Sequence, residues 1–236
     1  MYKYIKRFFD FFFALVMVVV LTPFMLPIVI GLLLTGEHHV FYLQKRVGFK
    51  NRIFEIMKFA TMLKNSPNMK GGAITTTRDP RILPMGGFLR KTKINELPQL
   101  LNVLKGDMSF VGPRPVMKEA SFDHYPKDVQ QVIFNVKPGI TGIGSIVFRD
   151  EEALITKVKE AGNDTMHFYT KVIYPYKGEV EKWYQANQSF MLDFSILVCT
   201  AWVIVFPESN ILFKLYRDIP QKDASYFNKY INTNVL

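Results

Sequence analysis

An uncharged run near the start of the chain restricts the possible folds most strongly. From Phe11 to Leu34 there are 24 consecutive residues without a charged side chain. At about 1.5 Å per residue, a helix of this length covers the roughly 30 Å hydrocarbon core of a bilayer. No small-x-small cleavage site follows the run, which argues against a cleaved signal peptide. We therefore expect residues 1–36 to form a retained membrane helix.

The charges that flank this run bear on its topology. Three basic residues precede it and four follow it soon after, namely Lys3, Lys6, Arg7, Lys45, Arg46, Lys50 and Arg52. Basic flanks stay on the cytoplasmic side of a membrane, and Thr22-Pro23, at the midpoint, can bend a helix. We predict a re-entrant helix that is broken at Thr22-Pro23 and returns to the cytoplasmic face. The alternative is a single span with a proline kink.

The rest of the chain is long enough for one compact module. The whole chain contains 236 residues, of which 49% are hydrophobic and 21% charged, so disorder is excluded. We predict a helix-rich α+β fold, with a cytoplasmic domain over 37–206 and a tail of unknown role over 207–236. A second apolar stretch, Phe194–Phe206, is too short to span a bilayer and predicts a core or interfacial helix. The single cysteine, Cys199, excludes an intramolecular disulfide, and no paired Cys/His spacing indicates zinc.

The positive charge is concentrated in the middle of the chain. Residues 45–118 hold 15 Lys and Arg against 4 Asp and Glu, whereas the whole chain has a net charge of +10. An excess of basic residues favours phosphate-bearing ligands: a nucleotide, a lipid headgroup or a nucleic acid. The basic region lacks zinc-finger and RNA-recognition motifs and follows a membrane helix, so we expect no nucleic acid.

Four segments of this region carry candidate site residues. Strand-like runs over 40–44 and 52–58 predict a hairpin with Lys58 at the end of its second strand. The polar segment 65–79 predicts a mobile loop. A helix is predicted from about Pro98 to Leu104, so that Asn95 and Glu96 lie beside its start, where phosphate can bind or where Asn95 merely caps the helix. Arg114, between Pro113 and Pro115, is restrained in a position suited to a phosphate, although an arginine in a proline-rich turn is often only a surface residue.

These motifs together resemble a known family, the bacterial sugar transferases, which are monotopic phosphoglycosyl transferases (polyprenyl-phosphate glycosyl-1-phosphate transferases). The resemblance covers roughly residues 3–206. It is carried by the following segments: Lys6-Arg7-Phe8-Phe9-Asp10, Lys58-Phe59-Ala60-Thr61-Met62, Asp79-Pro80-Arg81, Phe88-Leu89-Arg90-Lys91-Thr92, Asn95-Glu96-Leu97-Pro98-Gln99-Leu100, Asn102-Val103-Leu104-Lys105-Gly106-Asp107-Met108-Ser109, Val111-Gly112-Pro113-Arg114-Pro115 and Lys137-Pro138-Gly139-Ile140-Thr141-Gly142.

The resemblance implies a function at the cytoplasmic face of the bacterial inner membrane. Members move a sugar 1-phosphate from a nucleotide sugar, here expected to be a UDP sugar, to polyprenol (undecaprenyl) phosphate, as the first step of a surface polysaccharide or glycoconjugate pathway. It implies Mg²⁺ as cofactor, with Glu96 as a metal ligand, and an Asp nucleophile that precedes this Glu. It also implies substrate or phosphate contacts for Lys58, Asp79, Arg81, Arg90, Pro113 and Arg114. Expected partners are the nucleotide sugar, polyprenol phosphate and the membrane, with a homodimer as an open alternative.

The sequence departs from the family pattern at the nucleophile, because Asn95 stands where the family has Asp. A carboxamide is a poor nucleophile and a weak magnesium ligand. Three explanations stay open: the chain is inactive and acts as a membrane scaffold or trapped variant, Glu96 performs the attack, or Asn95 supports a direct displacement. Lesser departures are Ala60, Leu83 and Gly87, where the family often has a basic residue, Thr and Arg, respectively.

Overall fold

A computed structural model describes residues 2–69, 79–223 and 225–228. Most of the predicted loop over 65–79 lies outside these residues. Apart from the first two residues, the chain divides into two compact units, one made of 3–46 and 53–108, the other of 47–52 and the residues from Ser109 onward. The domain boundaries at residues 36 and 206 that were expected from the sequence stay a prediction.

The first unit begins with the apolar helix. Its helices are α1 (Tyr2–Leu34), α2 (Gly86–Lys91) and α3 (Gln99–Lys105), and its hairpin consists of β1 (Phe41–Val47) and β2 (Ile53–Phe59). By length and composition, α1 is able to cross a membrane. Its C-terminal half packs on the hairpin and α2 through Leu32, Phe59 and Leu89. Large side chains of α1 such as Phe8 and Phe24 are exposed, as the prediction of a membrane helix requires.

The predicted interruption at Thr22-Pro23 is not seen, because the helical backbone of α1 continues through Pro23 and Pro27. The Thr22 hydroxyl donates to the carbonyl of Val18 at 2.6 Å. Proline at 23 leaves the carbonyl four residues earlier, that of Val19, without its usual donor, while the Thr22 hydroxyl adds a second donor to the carbonyl of Val18, one residue before it. Such bonds from threonine often bend a helix without ending it.

The hairpin and the helix after it match the sequence prediction closely. The strands begin and end within three residues of the predicted bounds, and Phe59, rather than Lys58, ends β2. Pro98 immediately precedes α3, as its missing N–H favours at a helix start. The helix ends at Gly106, whose φ of +92° lies in the left-handed region, where glycine has no steric penalty.

The second unit is mostly helical. Its strands β3 (Ser109–Val111) and β4 (Gly139–Thr141) pair in parallel. Its helices are α4 (Lys127–Val132), α5 (Ile143–Val147), α6 (Glu151–Glu160), α7 (Thr165–Phe168), a π-helical turn over Tyr169–Ile173, α8 (Tyr174–Ala186), α9 (Phe190–Val205) and α10 (Ile211–Leu215). The helix-rich α+β class is therefore confirmed.

Helix α9 contains the second apolar stretch. Leu192, Ile196 and Cys199 are buried in the core of the second unit, while Phe194 and Trp202 are among the exposed apolar side chains. A helix that is apolar on both faces and buried on only one has the form predicted for a core or interfacial helix.

Candidate active site

An ion pair in the first unit joins two of the predicted site residues. Lys58 Nζ, on β2, lies 2.9 Å from Glu96 Oε1, and the two side chains are 18% and 21% exposed. Glu96 ends a 3₁₀ turn, Ile94–Glu96, just before α3. A partly buried pair of this kind retains more of its attraction than a surface pair. The structure therefore brings together a cation and a carboxylate that are 38 residues apart in sequence.

Asn95 occupies the same turn but is almost completely enclosed. It is 7% exposed, and its Oδ1 accepts no hydrogen bond from the residues that the structure describes. A buried acceptor without a donor costs about 1–3 kcal/mol. The alternative that Asn95 merely caps the following helix finds no support, since α3 has no side-chain cap. This orphaned oxygen, on the residue that precedes Glu96, is a candidate contact for a cation or a ligand.

Arg90 is placed in the same unit by α2. The start of α2 approaches the chain after β2 closely, since a Cβ on Gly86 would lie 2.1 Å from the carbonyl oxygen of Thr61. Only a glycine permits this approach. Arg90 is partly buried, and its Nη1 is 3.6 Å from Met62 Sδ, a weak acceptor. The guanidinium therefore lies beside the segment that carries Lys58.

Asp79 and Arg81 form a separate, buried pair. Arg81 is 2% exposed, and its Nη2 and Nε bind the two carboxylate oxygens of Asp79 at 2.6 and 2.8 Å. Its Nη1 donates to the carbonyl of Ser66 at 3.0 Å. Asp79 raises the pKa of Arg81 through this hydrogen bond. This geometry favours a structural role, in which the pair holds residue 66 and residues 79–81 together. Substrate contact for the pair stays a prediction.

Arg114 belongs to the second unit, where two prolines hold it. Pro113 and Pro115 are buried and Arg114 is exposed. The Pro113 carbonyl accepts the Gly139 N–H at 3.0 Å, and Gly112 N–H donates to the Thr141 carbonyl at the same distance. A Cβ on Gly142 would lie 2.1 Å from the Gly112 carbonyl oxygen, so the two glycine-containing motifs touch through their backbones. The arginine is thus presented on a rigid turn, as its proline neighbours predict.

The three lesser departures from the family pattern lie in different surroundings. Ala60 and Leu83 are buried, and the Ala60 N–H donates to the Val40 carbonyl at 2.8 Å. Gly87 is exposed, and a Cβ there would meet nothing within 4 Å. A larger side chain at 87 would therefore fit without rearrangement.

Sequence reasoning missed three polar residues whose surroundings only the structure shows. Arg7 of α1 donates to the carbonyls of Val103 and Leu104 at the end of α3, at 2.5 and 2.8 Å. Asn102 is buried between α3 and β2. Glu181 of α8 is buried in the second unit. An asparagine inside a predicted helix was the one available signal, because asparagine is a poor helix former and needs another reason to be there.

Comparison with known proteins assigns the chain to a family. The family model described as bacterial sugar transferase matches residues 1–207. The chain belongs to the bacterial sugar transferase family. This confirms the resemblance on which the site residues were chosen.

Several curated relatives of this family member carry functional names. It is 32% identical to the UDP-galactose-lipid carrier transferase of Erwinia amylovora, over 86% of this chain and 41% of that protein. It is 32% identical to the UDP-glucose:undecaprenyl-phosphate glucose-1-phosphate transferase of Xanthomonas campestris pv. campestris, over 80% and 36%. It is 34% identical to the exopolysaccharide production protein ExoY of Sinorhizobium fredii, over 65% and 73%. The chain thus spans about two fifths of the length of the first of these relatives.

Proposed function

We propose that this family member transfers a sugar 1-phosphate from a UDP sugar to undecaprenyl phosphate, at the cytoplasmic face of a bacterial inner membrane, as the first step of a surface polysaccharide or glycoconjugate pathway. The observation that carries the proposal is the Lys58–Glu96 pair beside buried Asn95. Asn95 and Glu96 occupy the positions at which the family has its Asp-Glu pair. The names of the relatives support the same reaction class.

Both proposed substrates are anionic, so the site must offset charge repulsion. Lys58 lies 2.9 Å from Glu96 and can also offer positive charge to a diphosphate. Arg90, beside Met62, adds a second cation in the same unit. Arg114, which belongs to the second unit, carries a planar guanidinium that by itself is suited to two phosphate oxygens.

Magnesium is the proposed cofactor. Among residues 2–69, 79–223 and 225–228, no group of three or more His, Cys, Asp or Glu side chains is arranged to hold a metal ion. Magnesium, however, is commonly held by one or two carboxylates together with substrate phosphates and water. The Glu96 carboxylate and the unpartnered Asn95 Oδ1 fit that limited donor set, and a bound Mg²⁺ would neutralise developing charge on the diphosphate.

The chemistry of Asn95 distinguishes an active from an impaired chain. An uncharged amide cannot attack phosphorus as a carboxylate does, so a membrane scaffold without transferase activity is the second candidate function. The observation that favours this candidate is Asn95 itself. Attack by Glu96 and direct displacement are the two routes by which the chain as given could be active.

The membrane arrangement is also part of the proposal. The basic residues on both sides of α1 favour a re-entrant helix with both ends in the cytoplasm. The Thr22–Val18 hydrogen bond and the two prolines in α1 support a bend near Thr22-Pro23 without a break in the helix.

Transfer of radiolabelled sugar phosphate to polyprenol phosphate tests the proposal with a panel of UDP sugars. We expect Asn95→Asp to raise turnover steeply, because it restores an anionic nucleophile that can also bind magnesium. The matched control is Asn65→Asp, which adds the same charge at an exposed amide and should leave transfer unchanged. Equal rates for the original chain and Asn95→Asp would contradict this expectation.

The same assay separates the alternatives. If Glu96 is the nucleophile, the original chain transfers, Glu96→Gln does not, and mass spectrometry finds the phosphosugar on Glu96. Transfer without an adduct indicates direct displacement. If neither the original chain nor Asn95→Asp transfers any sugar, the transferase proposal is wrong and the scaffold function stands.

A further inference from the structure

Asn102 links the helix that follows the site to the strand that carries Lys58. The side chain is 1% exposed. Its Oδ1 accepts the Met57 N–H at 2.9 Å, and its Nδ2 donates to the Glu55 carbonyl at 2.8 Å. A primary amide is well suited to these two bonds, because it holds a donor and an acceptor in one plane. The side chain thus bonds to β2 as a neighbouring strand would.

The two elements joined by Asn102 also carry the two members of the ion pair. Met57 directly precedes Lys58 on β2, and Glu96 lies in the turn that leads through Pro98 into α3. Since Asn102 fixes α3 against β2, it also fixes the separation of the elements from which Lys58 and Glu96 extend. The contacts follow one another along β2: Glu55 and Met57 bind Asn102 on either side of Ile56, and the next residue binds Glu96.

We propose that Asn102 is a positioning residue of this site, which sets Lys58 against Glu96. The effect of Asn102 on catalysis rests on the proposed function, whereas its effect on the position of Lys58 does not. The main-chain carbonyl of Asn102 makes separate contacts, since it accepts the N–H groups of Gly106 and Asp107, both at 3.0 Å, at the end of α3. A change of the side chain leaves these main-chain bonds available, so the positioning role can be tested alone.

The test is the rate at which an amine-reactive acylating reagent modifies Lys58 in the full chain in detergent micelles at pH 8, followed by mass spectrometry. An ammonium group held by a carboxylate is less reactive than an unpaired one. We expect Asn102→Leu, which is similar in size but makes neither bond, to raise the rate about threefold to tenfold. Glu96→Gln removes the charge of the partner itself. It should also raise the rate of Lys58 modification, and its rate sets the upper limit for the Asn102 variant.

Val103→Ala is the matched control for a loss of stability alone. Val103 is the next residue on α3 and is fully buried, so its truncation lowers the melting temperature through a cavity but breaks no bond to β2. Lys58 should react in this variant at the original rate. If Asn102→Leu does not fold, Asn102→Asp replaces it, because an ionised Asp keeps the acceptor for Met57 N–H and loses the donor to the Glu55 carbonyl.

The inference is overturned if the Asn102 variant leaves Lys58 reactivity unchanged, or if Val103→Ala raises it equally. A failure of the proposed function is recognised separately. In that case the original chain and Asn95→Asp both lack transfer, while the labelling result for Lys58 is unaffected. Where transfer is measurable, Asn102→Leu should reduce kcat at least tenfold, and Val103→Ala should not.

Discussion

Glu181 on α8 allows a quantitative prediction of how stability depends on pH. It is 5% exposed, and its Oε2 has no hydrogen-bond partner among the described residues. Desolvation raises the pKa of this carboxyl from its ordinary value of 4.5 to about 8, against the opposing effects of Lys177 and of a hydrogen bond from the Gly144 backbone. Lys177 is itself paired with Glu151 at 2.7 Å, so it is not available to Glu181 alone. The folded chain therefore keeps a proton on Glu181 at neutral pH.

The sign of the effect follows from proton binding. Between pH 4.5 and about 8, the folded state holds a proton that the unfolded state has released, so the free energy of unfolding falls as pH rises through this window. At about 1.4 kcal/mol for each pH unit, the full effect is at most about 5 kcal/mol. Glu181→Gln keeps the shape and the acceptor for Gly144 but cannot ionise. We expect it to match the original chain near pH 4.5 and to be more stable above pH 8.

Thermal unfolding of the full chain in detergent, from pH 4.5 to 9, measures this difference. For a chain of this length, 1 kcal/mol corresponds to about 2–4 °C in Tm, so the advantage of the variant should grow to as much as about 10–20 °C. Glu179→Gln is the control, because Glu179 lies on the same helix but is exposed and pairs with Lys222 at 3.1 Å. A constant difference in Tm between Glu181→Gln and the original chain across this range would refute the reasoning.

Three further predictions concern the phosphate contact, the backbone and the membrane. Arg114→Ala should weaken handling of UDP sugar or lipid phosphate by at least about 2 kcal/mol without unfolding, and Arg114→Lys should not fully restore it; unchanged turnover and binding would contradict the assignment. Gly142→Ala should unfold the second unit, because its Cβ would lie 2.1 Å from a carbonyl oxygen, whereas Gly87→Ala should keep or raise Tm by calorimetry. Cysteines at positions 3 and 50, with Cys199 replaced by Ser, should both resist an impermeant reagent in intact cells; modification of only one from outside would exclude re-entry.

The sequence predicted those features of the fold that depend on local patterns. The uncharged run indicated α1, β-branched and aromatic runs indicated the hairpin, and Pro98 marked the start of α3. The parallel pairing of β3 with β4 could not be predicted from the sequence, because each strand has only three residues and 27 residues separate them. Such short strands carry no detectable periodicity.

The sequence motifs name candidate site residues but not their arrangement. Lys58, Glu96, Arg90 and Arg114 were all named from motifs, yet only the structure shows that Lys58 pairs with Glu96. The burial of Asn102 and Glu181 was not predicted, because burial of a polar group depends on residues distant in sequence. Arg81 differs again, since the motif suggests substrate contact, which stays a prediction, while its burial favours a structural role.

The bonds from Arg7 to the last carbonyls of α3 bear on how this protein can be handled. The apolar helix supplies the cation that completes the C-terminal end of α3, and Leu32 contributes to the core beneath the hairpin. Cutting the chain after residue 36 would therefore not release a self-sufficient fragment. It would leave the carbonyls of Val103 and Leu104 without the Arg7 donor and an apolar surface open to aggregation, so α1 and the rest of the first unit must be purified together.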